Sequence, residues 1–148
     1  MYAQEGDAAV KAAREKAGSE AGARSFDAAS IAPIASRVSV TSAGNFCCFI
    51  NNIAMYAEGP GCDAIAASGV IPLVFALIAR HITVKDVVYW GCWALYDLAV
   101  WGSADVRKVL IDVTDCETIL KAAQASGFDK PYAGHEGYVA YVLKKLGL

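Results

Sequence analysis

The chain has 148 residues, of which 13 are Lys or Arg, 15 are Asp or Glu and 56% are hydrophobic, and its net charge is −2. A chain of this length is typically one domain, and its interspersed charges form no basic stripe, which argues against a nucleic-acid partner. The apolar fraction is high for a small soluble monomer, so we expect part of the surface to be buried against other protein subunits or further repeats.

The cysteine pattern indicates a reducing environment. An odd count of five without a CxxC pair fits neither a disulfide framework nor a structural zinc site. We therefore predict buried free thiols, no metal and no cofactor, in an intracellular reducing compartment with the cytoplasm as the first choice. The five residues are Cys47, Cys48, Cys62, Cys92 and Cys116.

Two long uncharged runs, 38–57 and 64–79, raise the question of a membrane span. The second run is shorter than the ~20 apolar residues that a span requires. The first is long enough but contains Asn45, Asn51 and Asn52. Both are interpreted as buried helices of a soluble protein, so no membrane span is predicted. The N-terminus also lacks the charged-then-apolar order of a secretory signal.

Residues 1–24 are rich in alanine and mixed in charge, and we predict an N-terminal helix or arm there, followed by a repeat domain over 25–148. Asp7 is a candidate N-cap, and the stretch from Gly18 to Gly22 is a candidate stop signal. One interpretation is a marginal exposed helix or a linker. The other is an arm that docks along a partner.

Two helices are predicted next, over Ser25–Val40 and Asn45–Tyr56. The second is apolar enough to be buried, which makes Asn51 and Asn52 in its middle unusual. Asparagine is a poor helix former, and a buried amide needs hydrogen-bond partners. The pair therefore indicates that polar groups from elsewhere approach this helix.

A strong turn signal, Glu58-Gly59-Pro60-Gly61, separates these helices from the rest of the chain. Ser103 and Thr114 are predicted to cap two of the later helices, and Glu117 would complete a capping box with Thr114. The predicted helix ranges are 62–67, 72–81, 84–101, 104–113, 115–125 and 135–146. No strand alternation is found, so the predicted fold class is all-α.

The helix over Val84–Trp101 organises the rest of the chain, because it carries two stripes of residues at helical spacing. The core stripe consists of Val87, Gly91, Ala94, Leu95 and Leu98. The second stripe consists of Asp86, Trp90, Trp93, Asp97 and Trp101. A helix that buries two faces is expected to lie between neighbours on both sides, as in a stack of helices.

The sequence also repeats itself at an offset of 45 to 46 residues, which relates Cys47 to Cys92 and Gly91 to Gly137. Armadillo and HEAT units have periods of ~40–47 residues. The stretches GVIPLVFALIARH (69–81) and VKDVVYWGCWALYDLA (84–99) resemble an armadillo repeat. The positions that match the family pattern are Gly69, Pro72, Ala94, Leu95, Leu98 and Ala99. Asp97 stands at the family's Asn position, which the preceding unit FINNIA keeps as Asn52.

The resemblance implies a short right-handed α-solenoid of about two to three armadillo-like repeats, whose third helices line a concave groove. In the family, the Asn binds the backbone of an extended peptide, and a Trp one turn earlier walls pockets for its side chains. Trp93 and Asp97 are similar to that pair. The candidate residues for binding a partner or peptide are Trp93, Asp97, Trp90, Asn52, Asp86 and Trp101. The alternative is that the three tryptophans simply pack on the neighbouring third helix.

We therefore predict a non-catalytic protein–protein interaction module, and in the first place a structural or scaffold subunit of a larger assembly. A stack of so few repeats needs polar caps or neighbours at its ends. The alternative is groove-type recognition of an extended peptide by the third helices. A small helical enzyme is a third and weaker hypothesis, because His81 and His135 lie in no recognisable catalytic motif.

Overall fold

The computed structural model describes residues 2–18 and 42–148, with side chains from residue 7 onward. Within these residues the chain forms seven α-helices and no strand, which confirms the all-α prediction. The helices are α1 (Tyr2–Ala17), α2 (Ala43–Ser68), α3 (Ile71–Arg80), α4 (Lys85–Trp101), α5 (Ala104–Ile111), α6 (Cys116–Ser126) and α7 (Tyr138–Leu146). The helix predicted over Ser25–Val40 lies outside the described residues.

Several helix ends follow the sequence signals. Gly69 ends α2 with a left-handed φ of 78°, a conformation that glycine adopts without steric cost. Pro72 lies in the first turn of α3, where its missing N–H is not needed for the helix. The Ser103 hydroxyl accepts a hydrogen bond from the N–H of Val106 and caps α5 as predicted.

Two of the predicted caps are wrong. Asp7 lies inside α1, which begins at residue 2, so it cannot cap that helix. Thr114 does not cap α6, because Asp115 occupies the N-cap position with a left-handed φ of 60° and without a side-chain cap. Glu117 forms no capping box and instead pairs with Lys121 one turn later, at 2.5 Å. This exposed ion pair within α6 takes the place of the reciprocal contact that a capping box requires.

Two further boundaries differ from the prediction. The turn at Glu58-Gly59-Pro60-Gly61 exists as a kink inside α2, where Glu58 has a non-helical φ of 51° and ψ of −137°. Helix α7 begins at Tyr138 and not at His135. The ring Nδ1 of His135 accepts a hydrogen bond from the N–H of Gly137, which holds this stretch in a turn ahead of the helix.

Helices α1, α2, α4 and α7 lie side by side in chain order, and α3, α5 and α6 pack against them and against one another. Between each two neighbouring helices, a contact that lies later in one helix also lies later in the other, so the two helices run in the same direction. The contacts are Asp7–Ser42 and Arg14–Asn45 between α1 and the start of α2, Gly44–Asp86 and Asn51–Asp97 between α2 and α4, and Tyr89–Tyr138 and Tyr96–Tyr141 between α4 and α7. The assignment of these helices to armadillo repeats stays a prediction.

Helix α4 lies at the centre of the fold, in contact with α2, α3, α5 and α7. All five residues of its core stripe are buried, as predicted. Gly91 is required for the close packing of α3, because a Cβ at this position would lie 2.7 Å from Cγ1 of the buried Ile78. Its neighbours on both sides explain why α4 carries two stripes.

All five cysteines are free and buried, which confirms that prediction. Burial raises the pKa of the Cys47 and Cys62 thiols to about 12. Both side chains are therefore protonated at neutral pH and pack as small apolar groups.

Among the helices of residues 2–18 and 42–148, one bent pair has the length and composition of a membrane span. Each helix of the described ranges, taken singly, is too short or too polar to cross a bilayer. Helices α2 and α3 meet the criteria only together, and they are bent by 78° relative to one another. Most of their large apolar side chains lie in the core of the protein.

Candidate functional site

A continuous cluster of aromatic side chains joins α4 to α7 and to the loop before α7. We call this cluster the aromatic surface. Its rings are Tyr89, Trp90, Trp93 and Tyr96 of α4, Tyr138 and Tyr141 of α7, and Tyr132 and His135 of the loop. Neighbouring ring centroids are between 5.1 and 6.3 Å apart, which is the range of favourable aromatic pairs.

Trp93 is the centre of the aromatic surface. Its indole stacks on Trp90 at 5.4 Å with an interplanar angle of 7°, and on Tyr138 at 5.4 Å with an angle of 11°. These stacks fix Trp93 to the neighbouring helix α7, as the packing alternative predicts for this residue. A peptide side chain that entered between these rings would have to separate them.

The aromatic surface is only partly covered by the rest of the fold. The four rings of α4 are half-buried, whereas Tyr141 is 41% exposed and Tyr132 is 66% exposed. Large rings that combine an apolar body with an N–H or O–H group are the usual anchors of protein–protein interfaces. The cluster is thus both the joint between two helices and an available contact surface.

Asp129, in the loop before α7, positions Tyr138 in this cluster. One carboxylate oxygen of the buried Asp129 accepts a hydrogen bond from the N–H of Val139 at 3.2 Å, and its backbone carbonyl accepts one from the N–H of Tyr138 at 2.9 Å. Gly137 permits this approach, because a Cβ there would lie 2.5 Å from that carboxylate oxygen. Burial also raises the pKa of the Tyr138 phenol, which stays protonated.

Asp97 lies beneath the aromatic surface and joins α4 to α2. It is 3% exposed, and its Oδ2 accepts a hydrogen bond from the Nδ2 of the fully buried Asn51 at 2.7 Å. Burial raises the pKa of Asp97 to about 7, although the Asn51 amide acts in the opposite direction. The Oδ1 of Asn51 has no hydrogen-bond partner in the structure, and a protonated Asp97 carries the kind of donor that this oxygen needs.

Arg14 of α1 lies at the Trp90 end of the aromatic surface. Its guanidinium carbon is 5.8 Å from the centre of the Trp90 ring, and it donates a hydrogen bond to Oδ1 of Asn45. Arg14, Asn45 and Trp90 line two neighbouring cavities of about 430 and 460 Å³. One cavity extends to Asp86, and the other extends to Asn52.

The structure brings only some of the predicted partner-binding residues together. Trp90 and Trp93 share the aromatic surface, and Asp86 and Asn52 line the two cavities beside Trp90. Asp97 is buried beneath them and bonded to Asn51, so it does not face a partner in this conformation. Trp101, at the end of α4, is 51% exposed and takes no part in the ring contacts of the aromatic surface.

The prediction missed the tyrosines and Arg14. Tyr89 and Tyr96 lie four residues before and three after Trp93, so helical spacing alone places all three on one face. No such signal exists for Tyr138 or Arg14, because both reach the cluster from other helices. The sequence repeat could also have identified the hydrogen-bond partner of Asp97. An offset of 46 residues relates Asp97 to Asn51, its partner in the structure, whereas an offset of 45 relates it to Asn52.

Within the described part of the chain, no group of three or more His, Cys, Asp and Glu side chains is arranged to hold a metal ion. His81 ends α3 and is buried, and His135 belongs to the aromatic surface. No protein-family model, no curated protein and no solved structure matches this chain, so its function must be argued from the surface itself.

Proposed function

We propose that this chain is a non-catalytic protein–protein interaction module, in the first place a structural subunit of a larger protein assembly, and that the aromatic surface is its main interface. The observation that carries the proposal is the partial exposure of this cluster. A cluster that served only the joint between α4 and α7 would not need Tyr141 to be 41% exposed. Tyrosine and tryptophan are also the residues most enriched among binding hot spots.

The arrangement of the helices supports a short armadillo-like solenoid as the architecture of this module. Helices α2, α4 and α7 are parallel neighbours, and residues related by about one repeat meet between them, as Asn51 and Asp97 do. The kink at Glu58 divides α2, so that its second part and α3 precede α4, as α5 and α6 precede α7, and a repeat of three helices would produce this order. Five buried free thiols are consistent with a reducing intracellular compartment such as the cytoplasm.

Exposed apolar side chains elsewhere support a subunit with several neighbours. Among the residues whose side chains the structure describes, the other exposed large apolar ones besides Tyr141 and Tyr132 are Val84, Trp101, Ile111 and Leu148. They are distributed over the start and end of α4, the end of α5 and the C-terminus. Single exposed apolar residues are common, but an apolar composition of 56% together with these positions favours contacts on more than one face.

The test compares the mass of the full chain in isolation with its mass in native extract, by light scattering after gel filtration. A defined complex of higher mass in extract is expected. Tyr141→Ala should release the chain from that complex, whereas Lys144→Ala, at an exposed position of the same helix α7, should not. If both variants stay in the complex, the aromatic surface is not the interface. If the wild-type chain is monomeric in extract, the assembly proposal fails as well.

Recognition of an extended peptide is the second candidate, and the cavities beside Trp90 favour it. Asn52 and Asn45 present amide groups next to an indole face in cavities of about 430 to 460 Å³. Amides pair with a peptide backbone, and the indole face accommodates aliphatic or cationic side chains. A peptide array read by tryptophan fluorescence tests this candidate, and Asn52→Ala should lower the affinity of any peptide that binds there.

A further inference from the structure

We propose that α1 is a releasable strap, which covers the Trp90 end of the aromatic surface and the adjacent face of α2, and whose release opens these groups to a partner. The covered residues are Asn45, Cys48, Asn52 and Trp90. The role of the opened surface rests on the proposed function. The docking and release of α1, however, can be measured on the chain alone.

Arg14 makes the polar contacts of α1 at the Trp90 end of this surface, in addition to the hydrogen bond between Asp7 and Ser42 near the start of α1. The Arg14 guanidinium lies 5.8 Å from the centre of the Trp90 ring and donates a hydrogen bond to Asn45. The same guanidinium lies close enough to the Cys48 thiol to favour its thiolate, although burial is the larger effect and keeps the pKa of this thiol raised. Arg14 therefore connects α1 to α2 and to the aromatic surface at one point.

The apolar attachment of α1 is small. Its buried apolar side chains among the described residues are Val10, Ala13 and Ala17, and two of these are only methyl groups. Among the described helices, α1 packs mainly against α2 and reaches α4 through the contact of Arg14 with Trp90, whereas α4 packs against α2, α3, α5 and α7. Helices with few buried apolar contacts are the ones that open locally before the rest of a protein unfolds.

The groups beneath α1 are those that a partner would use. Three of the six residues predicted for partner binding, Trp90, Asn52 and Asp86, line the two cavities that Arg14 also lines. Lys11, Glu15 and Gly18 of α1 complete the wall of the larger cavity. Release of α1 would therefore remove one wall and expose the α2 face and the Trp90 ring together.

Two adjacent cysteines report this release. Cys48 faces α1 and is 4% exposed, whereas Cys47 is fully buried on the side of α2 that meets α3 and α4. Its sulfur lies 3.5 Å from the position that a Cβ on Gly91 would occupy. Release of α1 exposes Cys48 alone, while global unfolding exposes both thiols.

The experiment measures the reaction of each thiol with an alkylating reagent on the full chain in native buffer, with the site of modification located by tandem mass spectrometry. In the wild-type chain, Cys48 should react at least tenfold faster than Cys47. Arg14→Ala should speed the reaction of Cys48 by about tenfold, the size of one cation–π contact or charged hydrogen bond, and leave Cys47 unchanged. Lys85→Ala removes the same charge from an exposed position at the start of α4 that lines neither cavity, and it should change neither rate.

The direction of the change in the reaction rate of Cys48 distinguishes the exposure of this thiol from the loss of the nearby positive charge. Loss of the guanidinium by itself would slow Cys48, because a nearby cation favours the reactive thiolate. A faster reaction therefore reports the release of α1. Equal rates for Cys47 and Cys48 in the wild-type chain, or no change in Arg14→Ala, would overturn the proposal. If circular dichroism shows that Arg14→Ala is unfolded, Val10→Ala takes its place, with the same expected result and the same refutation.

Discussion

The replacement Asp97→Asn should make the chain more stable at neutral pH and remove much of its dependence on pH. Asparagine has the size of aspartate and can exchange hydrogen bonds with the Asn51 amide, but it carries no charge at any pH. In the native chain, the carboxyl of Asp97 is 3% exposed and has a pKa raised to about 7. Ionising it inside the fold costs free energy that the amide would not.

The sign of this pH dependence follows from the pKa values of Asp97 in the folded and in the unfolded chain. The folded chain holds the Asp97 proton more tightly than the unfolded chain, in which the pKa is 3.8. The contribution of this group to stability is therefore fully present below about pH 4 and is lost as the pH rises towards 7. A shift from 3.8 to about 7 corresponds to about 4 kcal/mol over the whole range, of which about 2–3 kcal/mol falls between pH 5 and pH 8.

The assay is urea unfolding of the wild-type chain and of Asp97→Asn at pH 5, 6, 7 and 8, followed by tryptophan fluorescence. The difference between their free energies of unfolding should shift by about 2–3 kcal/mol in favour of the variant from pH 5 to pH 8, or about 5–10 °C in Tm. Asp86→Asn, at an exposed position of the same helix, is the control and should shift this difference by less than about 0.5 kcal/mol. A difference that stays constant with pH would refute the assignment of a buried, protonated Asp97.

Four further predictions concern stability and are checked by urea or thermal unfolding. Trp93→Ala should lower the free energy of unfolding by about 2–4 kcal/mol, because it removes two stacked ring pairs. Trp101→Ala, at a side chain that is 51% exposed, should lower it by less than about 0.5 kcal/mol. Equal losses in the two variants would contradict the stacking of Trp93. Gly91→Ala should lower the free energy of unfolding by about 1–3 kcal/mol, because the added methyl group overpacks against Ile78. An unchanged unfolding midpoint would mean that α3 moves away without loss of stability. Gly137→Ala should lower Tm, since it combines a φ of 100° with a clash against a carboxylate. Ser103→Ala should cost about 1 kcal/mol through the lost cap of α5.

The helices were predictable because their signals are local. The stripe of α4 at spacings of three and four defines a face for the core whatever its neighbours are, and all five of its members are buried. The Gly69, Pro72 and Ser103 signals likewise depend on bonds within one or two turns. Predictions failed where a residue had a competing partner, as Glu117 has in Lys121.

The candidate site was predictable only in part. Trp90 and Trp93 share a face by helical spacing, so their proximity needed no knowledge of the fold. Tyr138 joins them because the loop residue Asp129 sets the start of α7, a contact across ten residues that no local pattern contains. The burial of Asp97 likewise depends on the register between α2 and α4. A shift of one residue turns a helical side chain by ~100°, which is the difference between Asn51 and Asn52 as its partner.

The sequence by itself determined an all-helical chain, the positions of most helices and the core face of α4, because hydrophobic spacing and capping act within a few residues. It also predicted that the five thiols are free and buried, as they are in the structure. Only the tertiary structure decided that Trp93 stacks on α7, that Asp97 is enclosed with Asn51 and that Arg14 of α1 lies over Trp90. These three contacts join residues 45, 46 and 76 positions apart, and their geometry is set by how whole helices pack together.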